Sequence, residues 1–257
     1  MADASKKTPA TALAGLEKFA GQVFENSQGK YTLDDYVYAD DLSLFSTAFF
    51  QIGAIAAAPL AIVGGSQQDL FITPFGQAGQ GFVAGTTTNA TLSLAETNLQ
   101  STQAGGKMGA NQTYVGIAGG FRVYCFPRNV GNTAFVQQGG VPVPSANDLN
   151  QIVSSCVWQW NVGGLQSPTL VYEPIEMWPI GAGVTGIGAV GAVQAMSNGG
   201  PVSTMRKFAF PLMFPPNIGA QLKISFARGV TDIESLNNLS VIAVAMHLRG
   251  YTLSKSV

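Results

Sequence analysis

The sequence predicts an all-β protein, an antiparallel β-sandwich preceded by a short N-terminal helix. Three observations carry this expectation. Alternating or β-rich apolar segments recur along the chain, separated by loops rich in Gly, Pro and Asn. The 31 glycines suit a loop-rich sandwich and argue against a helical bundle. No internal repeat of fixed period is visible, which removes propellers and solenoids. At 257 residues the chain fits one all-β domain or two small ones.

Charge is the unusual quantity. Only 11% of residues are Asp, Glu, Lys or Arg, against roughly 25% in an ordinary globular domain. The apolar fraction, 46%, is ordinary, so the remainder is Gly and small or amide side chains. Burying an amide or hydroxyl that finds a partner costs far less than burying a charge, and interfaces deplete charge at their centres for that reason. The composition therefore suits a protein that covers much of its surface with neighbours. The net charge is −1 and the 13 Lys and Arg residues are scattered, so no sequence-specific nucleic-acid binding is expected.

The charge is also unevenly placed. Residues 1–41 carry Asp3, Lys6, Lys7, Glu17, Lys18, Glu25, Lys30, Asp34, Asp35, Asp40 and Asp41, whereas residues 51–106 carry only Asp69 and Glu96, and residues 178–205 carry none. This divides the chain into an N-terminal helical arm, 1–41, and a body, 42–257. In the arm, Thr8 can cap a helix and Pro9 suits its first position. Leu13, Leu16, Phe19, Ala20 and Val23 then recur at helical spacing, predicting an amphipathic helix over Pro9–Phe24. Such a helix could dock on the body, on a neighbouring subunit or on a lipid surface. Met1 to Lys7 leads into no apolar run, so no secretory signal is expected. Ala48 to Val63 is apolar but too short for a span, and reads as a buried strand followed by an Ala-rich connection.

Strands are expected at Leu42–Ser46, Asp69–Thr73, Thr113–Phe126, Val157–Val162, Arg206–Phe214, Gln221–Ala227 and Val241–Leu253, within a total of roughly eight to ten. The turn Pro215–Gly219 joins two of them. Asn147–Cys156 is the one helix expected inside the body, capped near Ser145 or Asn147.

Chemical motifs do not survive their contexts. Gly181 to Gly186 (GAGVTG) is a literal GxGxxG, but Pro179 breaks the strand that should precede it. Gly188 and Gly191 weaken the helix that should follow, and no acidic residue stands about 20 positions on for a ribose. A flexible loop is the expectation. His247, the one histidine, lies in an alternating segment on the face of Ala243 and Ala245. No GxSxG elbow offers it a nucleophile. Cys125 and Cys156 lack CxxC spacing and read as buried thiols, with one disulfide as the alternative. Asp34, Asp35, Asp40 and Asp41 lack a calcium-loop spacing. Glu173 and Glu176 beside Trp178 have only proximity to suggest a glycosidase pair. Trp158 and Trp160 share a strand face, as core or interface packing requires. The sequons at Asn89, Asn111 and Asn238 need a secretory context that nothing else suggests. No catalytic, cofactor-binding or metal-ligating residue is assigned. The chain is expected not to be an enzyme, with no cofactor and no small-molecule substrate.

The order of segments resembles that of jelly-roll major capsid proteins of small tailless icosahedral bacteriophages. The resemblance rests on LFITPFGQ (Leu70–Gln77) and on the stretch Leu92–Tyr124 with its Thr97, Asn98 and Leu99. It continues through the helix Asn147–Cys156, the strand Val157–Val162 and the Pro-Gly loop Pro179–Gly188. FPLMFPPNIGAQLKISF (Phe210–Phe226) and MHLRGYTLS (Met246–Ser254) complete it. It spans most of residues 42–254 and departs from the family after the last strand, where Ser254-Lys255 stands in place of an Arg-Pro pair. The resemblance implies one elaborated jelly roll, with a double jelly roll as the alternative. It implies a virion capsid subunit that assembles with copies of itself, and with minor capsid or vertex proteins, in a shell enclosing the genome, with or without an internal lipid membrane. The competing reading is a β-sandwich binding module or adhesin, such as a fibre or lectin-like domain.

Overall fold

The computed structural model describes residues 23–26, 29–32, 36–51, 60–62, 64–77, 92, 94, 97–127, 146–162, 173–180, 185–189, 192–197, 205–233 and 240–255. In chain order the strands are β1 (Val23–Asn26), β2 (Gly29–Thr32), β3 (Tyr36–Gln51), β4 (Leu60–Ile62), β5 (Gln67–Leu70) and β6 (Gln112–Pro127). After the helix α1 (Ala146–Ser155) come β7 (Cys156–Val162), β8 (Glu173–Pro174), β9 (Thr185–Ala189), β10 (Ala192–Ser197), β11 (Arg206–Phe214), β12 (Ala220–Phe226), β13 (Val230–Ile233) and β14 (Ser240–Lys255).

Two antiparallel sheets form the body, as an all-β sandwich requires. The larger runs β3-β14-β6-β10-β9, with β11 also on β6; the smaller runs β5-β12-β7-β8. Along the chain the strands alternate between sheets: β3 larger, β5 smaller, β6 larger, β7 and β8 smaller, β11 larger, β12 smaller, β14 larger. β14 lies between β3 and β6 and pairs with both over nearly its whole length. The far edge of β6 is divided among three segments. β11 covers Tyr114–Gly119 and β10 meets Tyr124. Between them the Phe121 amide donates to the Trp178 carbonyl (2.7 Å), and the Ile180 amide donates to the Phe121 carbonyl (3.2 Å). The β11 ladder shifts register between Lys207 and Leu212. Pro211 falls inside that break and has no N–H to give a ladder.

The core lies between the sheets. Ile242, Val244, Met246 and Leu248 alternate on β14 and join Leu44, Ala48 and Phe50 of β3. Leu70, Leu222, Ile224, Phe226, Trp158 and Trp160 face them from the smaller sheet. Edge-to-face ring pairs lock the layers: Phe50 with Phe226 and Trp160 with Phe214, each with centroids 4.8 Å apart. Ala243 and Ala245, on the opposite face of β14, are buried as well. The buried Tyr114 hydroxyl donates to the Leu248 carbonyl (3.1 Å) and accepts from the Leu44 amide (3.4 Å). In α1, Leu149, Ile152 and Val153 fall at helical spacing and are buried in the same core.

Several expected elements lie within a residue or two of their observed bounds. Asn147–Cys156 becomes α1, Arg206–Phe214 is β11, and Val241–Leu253 lengthens to β14. Others differ. Val23 and Phe24, expected as the last turn of the arm helix, begin β1, which pairs with β2 as a hairpin; residues 9–22 lie outside the described residues. Helical spacing of apolar side chains does not fix local conformation when a strand partner lies three residues further on. The strand expected at Leu42–Ser46 extends to Tyr36–Gln51 because β14 supplies partners throughout. The strand expected at Asp69–Thr73 spans Gln67–Leu70 instead. Phe71 takes φ 65°, burying its ring edge-on to Phe214 at 5.4 Å, while its amide donates to the Ser46 hydroxyl (3.0 Å).

One close approach depends on a missing side chain. The turn Ser101–Gly106 ends at Gly106 with φ 70°, where a Cβ would overlap the Ala220 carbonyl oxygen. Gly76 shares the left-handed backbone, φ 79°, but faces open space. In urea unfolding, Gly76→Ala should lose about 1 kcal/mol, the conformational cost alone. Gly106→Ala should lose about 3 kcal/mol, because overpacking against backbone is added.

Candidate functional site

The residues considered for chemistry are distributed as structure. Trp158 and Trp160 are both in the core. Gly181–Val184 lie outside the described residues, but Thr185 and Gly186 open β9, which pairs with β10 as a hairpin. The expected loop over Pro179–Gly188 is therefore strand in its second half, and no helix N-terminus follows the glycines to receive a pyrophosphate. Asp40 and Asp41 lie in β3 opposite Thr252 and Tyr251; Asp34 and Asp35 fall outside the described residues. Cys156 is a free buried thiol whose pKa is pushed far up by desolvation, which leaves it inert as a nucleophile. Cys125 falls in β6, opposite Ile242. Asn89 and Asn238 also lie outside the described residues.

Glu173 and Glu176 diverge in role. Glu173 accepts a hydrogen bond from the Trp178 indole N–H, whereas Glu176 is exposed in the 3₁₀ turn Ile175–Met177. Trp178 anchors a cluster around this turn. Its ring meets Trp158 edge-on at 5.4 Å and lies 5.0 Å from Phe208. The Arg206 guanidinium sits 4.3 Å above it and donates to the Met177 carbonyl (3.3 Å). An indole fixed by a carboxylate, a guanidinium and two rings is a brace, not a ligand platform. It fixes the segment that completes the edge of β6.

His247 occupies the face of β14 that carries Ala243 and Ala245, as its spacing predicts. Its ring stacks on Phe45 at 5.4 Å and 19°. Burial lowers its pKa, and the Arg122 guanidinium lowers it further, so the ring is neutral near pH 7. Among the described residues the charged group acting on it is Arg122, not the carboxylate that would orient a catalytic base.

The features that remain lie at the sheet edges and on the surface. Among the described residues β3 ends its sheet, and the extended segment at Thr97–Leu99 covers its edge at Ser43–Phe45. The Asn98 side chain accepts from the Phe45 amide (2.9 Å) and donates to the Ser43 carbonyl (2.6 Å), while its own amide donates to the Phe45 carbonyl (3.3 Å). The carboxamide thus imitates one residue of a neighbouring strand. β8 is closed differently: it is two residues long and contains Pro174. β5 is four residues long and carries Asp69. Among the described residues the exposed large apolar side chains are Phe75 (43%), Leu94 (63%) and Met177 (57%). Phe75 and Leu94 belong to one loop pair, joined where the Gly76 amide donates to the Leu92 carbonyl (2.7 Å) and the Leu92 amide donates to the Gln77 carbonyl (2.8 Å).

Asn98 is a residue whose role sequence reasoning missed. Its position in a Thr-Asn-Leu stretch before a long strand was the only signal, and the amide's two partners lie 53 and 55 residues away. No protein-family model, no curated protein and no solved structure matches the chain.

Two outcomes follow from these contacts. The folded value of His247 lies below its unfolded value near 6.5, so the unfolded state takes up the proton first and stability falls as pH drops below about 6.5. His247→Phe keeps the stack on Phe45 and should flatten that part of the pH–stability curve in urea titrations from pH 8 to 5. Asn98→Ala should cost about 1 kcal/mol for the lost side-chain bonds. Asn98→Asp should cost more, since its carboxylate faces the Ser43 carbonyl with no proton to donate; chemical denaturation of both variants checks the order.

Proposed function

We propose that the chain is a major capsid protein, a non-enzymatic subunit that assembles with copies of itself into an icosahedral virion shell around a viral genome. We further propose that its sandwich is a single jelly roll of the kind that the sequence resembles. The strand order carries the reading. Numbering β3, β5, β6, β7, β8, β11, β12 and β14 from one to eight gives 1-8-3-6 in the larger sheet and 2-7-4-5 in the smaller. That is the order obtained when one long hairpin of paired strands is wrapped into two Greek keys. The hairpin β9–β10 and the short strands β4 and β13 are then insertions between the eight. A double roll would need a second set of eight, and among the described residues the strands left over are fewer and shorter than that, which favours the single roll.

The charge-poor body supports the assembly half of the proposal. A subunit buried on several sides does best with surfaces that lose water cheaply and present no fixed charge to the wrong neighbour. The proposed partners are further copies of the chain, with minor or vertex proteins where the symmetry changes.

Electron microscopy and light scattering of the purified protein test the reading. Closed particles or discrete oligomers are expected. Deleting residues 1–30 should impair assembly while the body stays folded. A strictly monodisperse species of 26.8 kDa across salt, pH and concentration would overturn it and favour a binding module.

A further inference from the structure

We infer that β9 is a contact strand, pairing antiparallel with β9 of a second copy of the chain across a two-fold axis. The inference rests on the assembly reading above and names one of its interfaces.

Among the described residues five strands stand at sheet edges: β3, β9, β11, β5 and β8. Four carry devices that natural sandwiches use against unwanted pairing, β11 among them with Pro211 and the charged Arg206 and Lys207. Asn98 occupies the middle of the β3 edge, bonding Ser43 and Phe45 through main chain and side chain. β8 is two residues long and includes Pro174. β5 is short and charged at Asp69. β9 has none of these. Among the described residues it pairs with β10 alone. Its sequence, Thr185-Gly186-Ile187-Gly188-Ala189, holds no charge and no proline. The whole stretch 178–205 is free of charge, and residues 180–200 contain no proline. An edge strand whose backbone groups are not protected seeks a partner that supplies N–H and C=O groups in register.

A second β9 meets that requirement. Antiparallel pairing centred on Ile187 sets Thr185 opposite Ala189 and Gly186 opposite Gly188. Under a two-fold axis a charge at or near the centre would face its own copy, the arrangement that most weakens strand pairing. The absence of charge over this stretch removes that repulsion. Each such contact is small, and a closed shell multiplies it by linking many at once.

The test is a charge swap at the centre of the proposed pair, read by sedimentation velocity and electron microscopy. Near-UV circular dichroism from the buried tryptophans checks the fold. Ile187→Lys alone and Ile187→Glu alone should each shift the population from particles or oligomers toward the monomer. Mixed in equal amounts, they should recover assembly, because lysine then faces glutamate across the axis. Thr185→Lys combined with Ala189→Lys repeats the single-charge arm if position 187 proves necessary for folding. Folded variants that assemble like the unmodified chain, or a folded mixture that stays monomeric, would overturn the inference while leaving the capsid reading intact. An unmodified chain that never oligomerises would sink both.

Discussion

The insertion of the last strand between β3 and β6 is the constraint on which the rest of the structure depends. β14 supplies the ladder partners of β3 on one side and of β6 on the other, so the larger sheet does not join β3 to β6 until the C-terminal residues arrive. The pairs Leu44–Leu248 and Phe45–His247 join positions roughly two hundred residues apart. Closing a loop of that length costs entropy before any contact repays it, which makes folding slow and leaves strand edges open in the meantime. The low charge of the body adds to that exposure. Asn98, a residue from a loop on the N-terminal side of β6, covers the middle of the long edge that β3 presents, at Ser43 and Phe45.

Across the layers, aromatic rings set the spacing. Trp160 and Tyr114 both meet Phe214 edge-on, and Phe121 and Trp178 both meet Trp158. The second group joins β6, β7 and the turn after β8, so the segment at Trp178–Ile180 is held in place to complete the β6 edge. Glu173 and Arg206, which composition alone could offer as chemistry, are taken up by that same indole. Charges in the body are few, and two of them serve one tryptophan. This economy is consistent with a surface left for contact with other copies of the chain, as proposed.

Much of the fold was legible in the residues. Period-two alternation marked β11, β12 and β14, and the apolar spacing in Asn147–Cys156 marked α1, because in these segments the local pattern and the tertiary environment ask for the same thing. The short strands β4, β9, β10 and β13 were not legible. Their residues are small or few, and a Gly-rich strand resembles a Gly-rich loop until its partner is known. The same ambiguity hid β1, where apolar residues at helical spacing run into a hairpin. Phe71 was hidden for another reason: its left-handed backbone is dictated by the Phe214 ring and the Ser46 hydroxyl, both distant in sequence.

By itself the sequence determined the class: alternating strands and abundant turn residues suffice for an all-β sandwich, since each is a local or compositional property. Which strand lies beside which was decided only in three dimensions. The order β3-β14-β6-β11 over β5-β12-β7-β8 comes from backbone hydrogen bonds that are blind to side-chain identity and from ring contacts between residues far apart in the chain. The same is true of the edges. Nothing local separates Asn98 from the other asparagines of the chain, and only the sheet shows that it closes one edge while β9 stands at another.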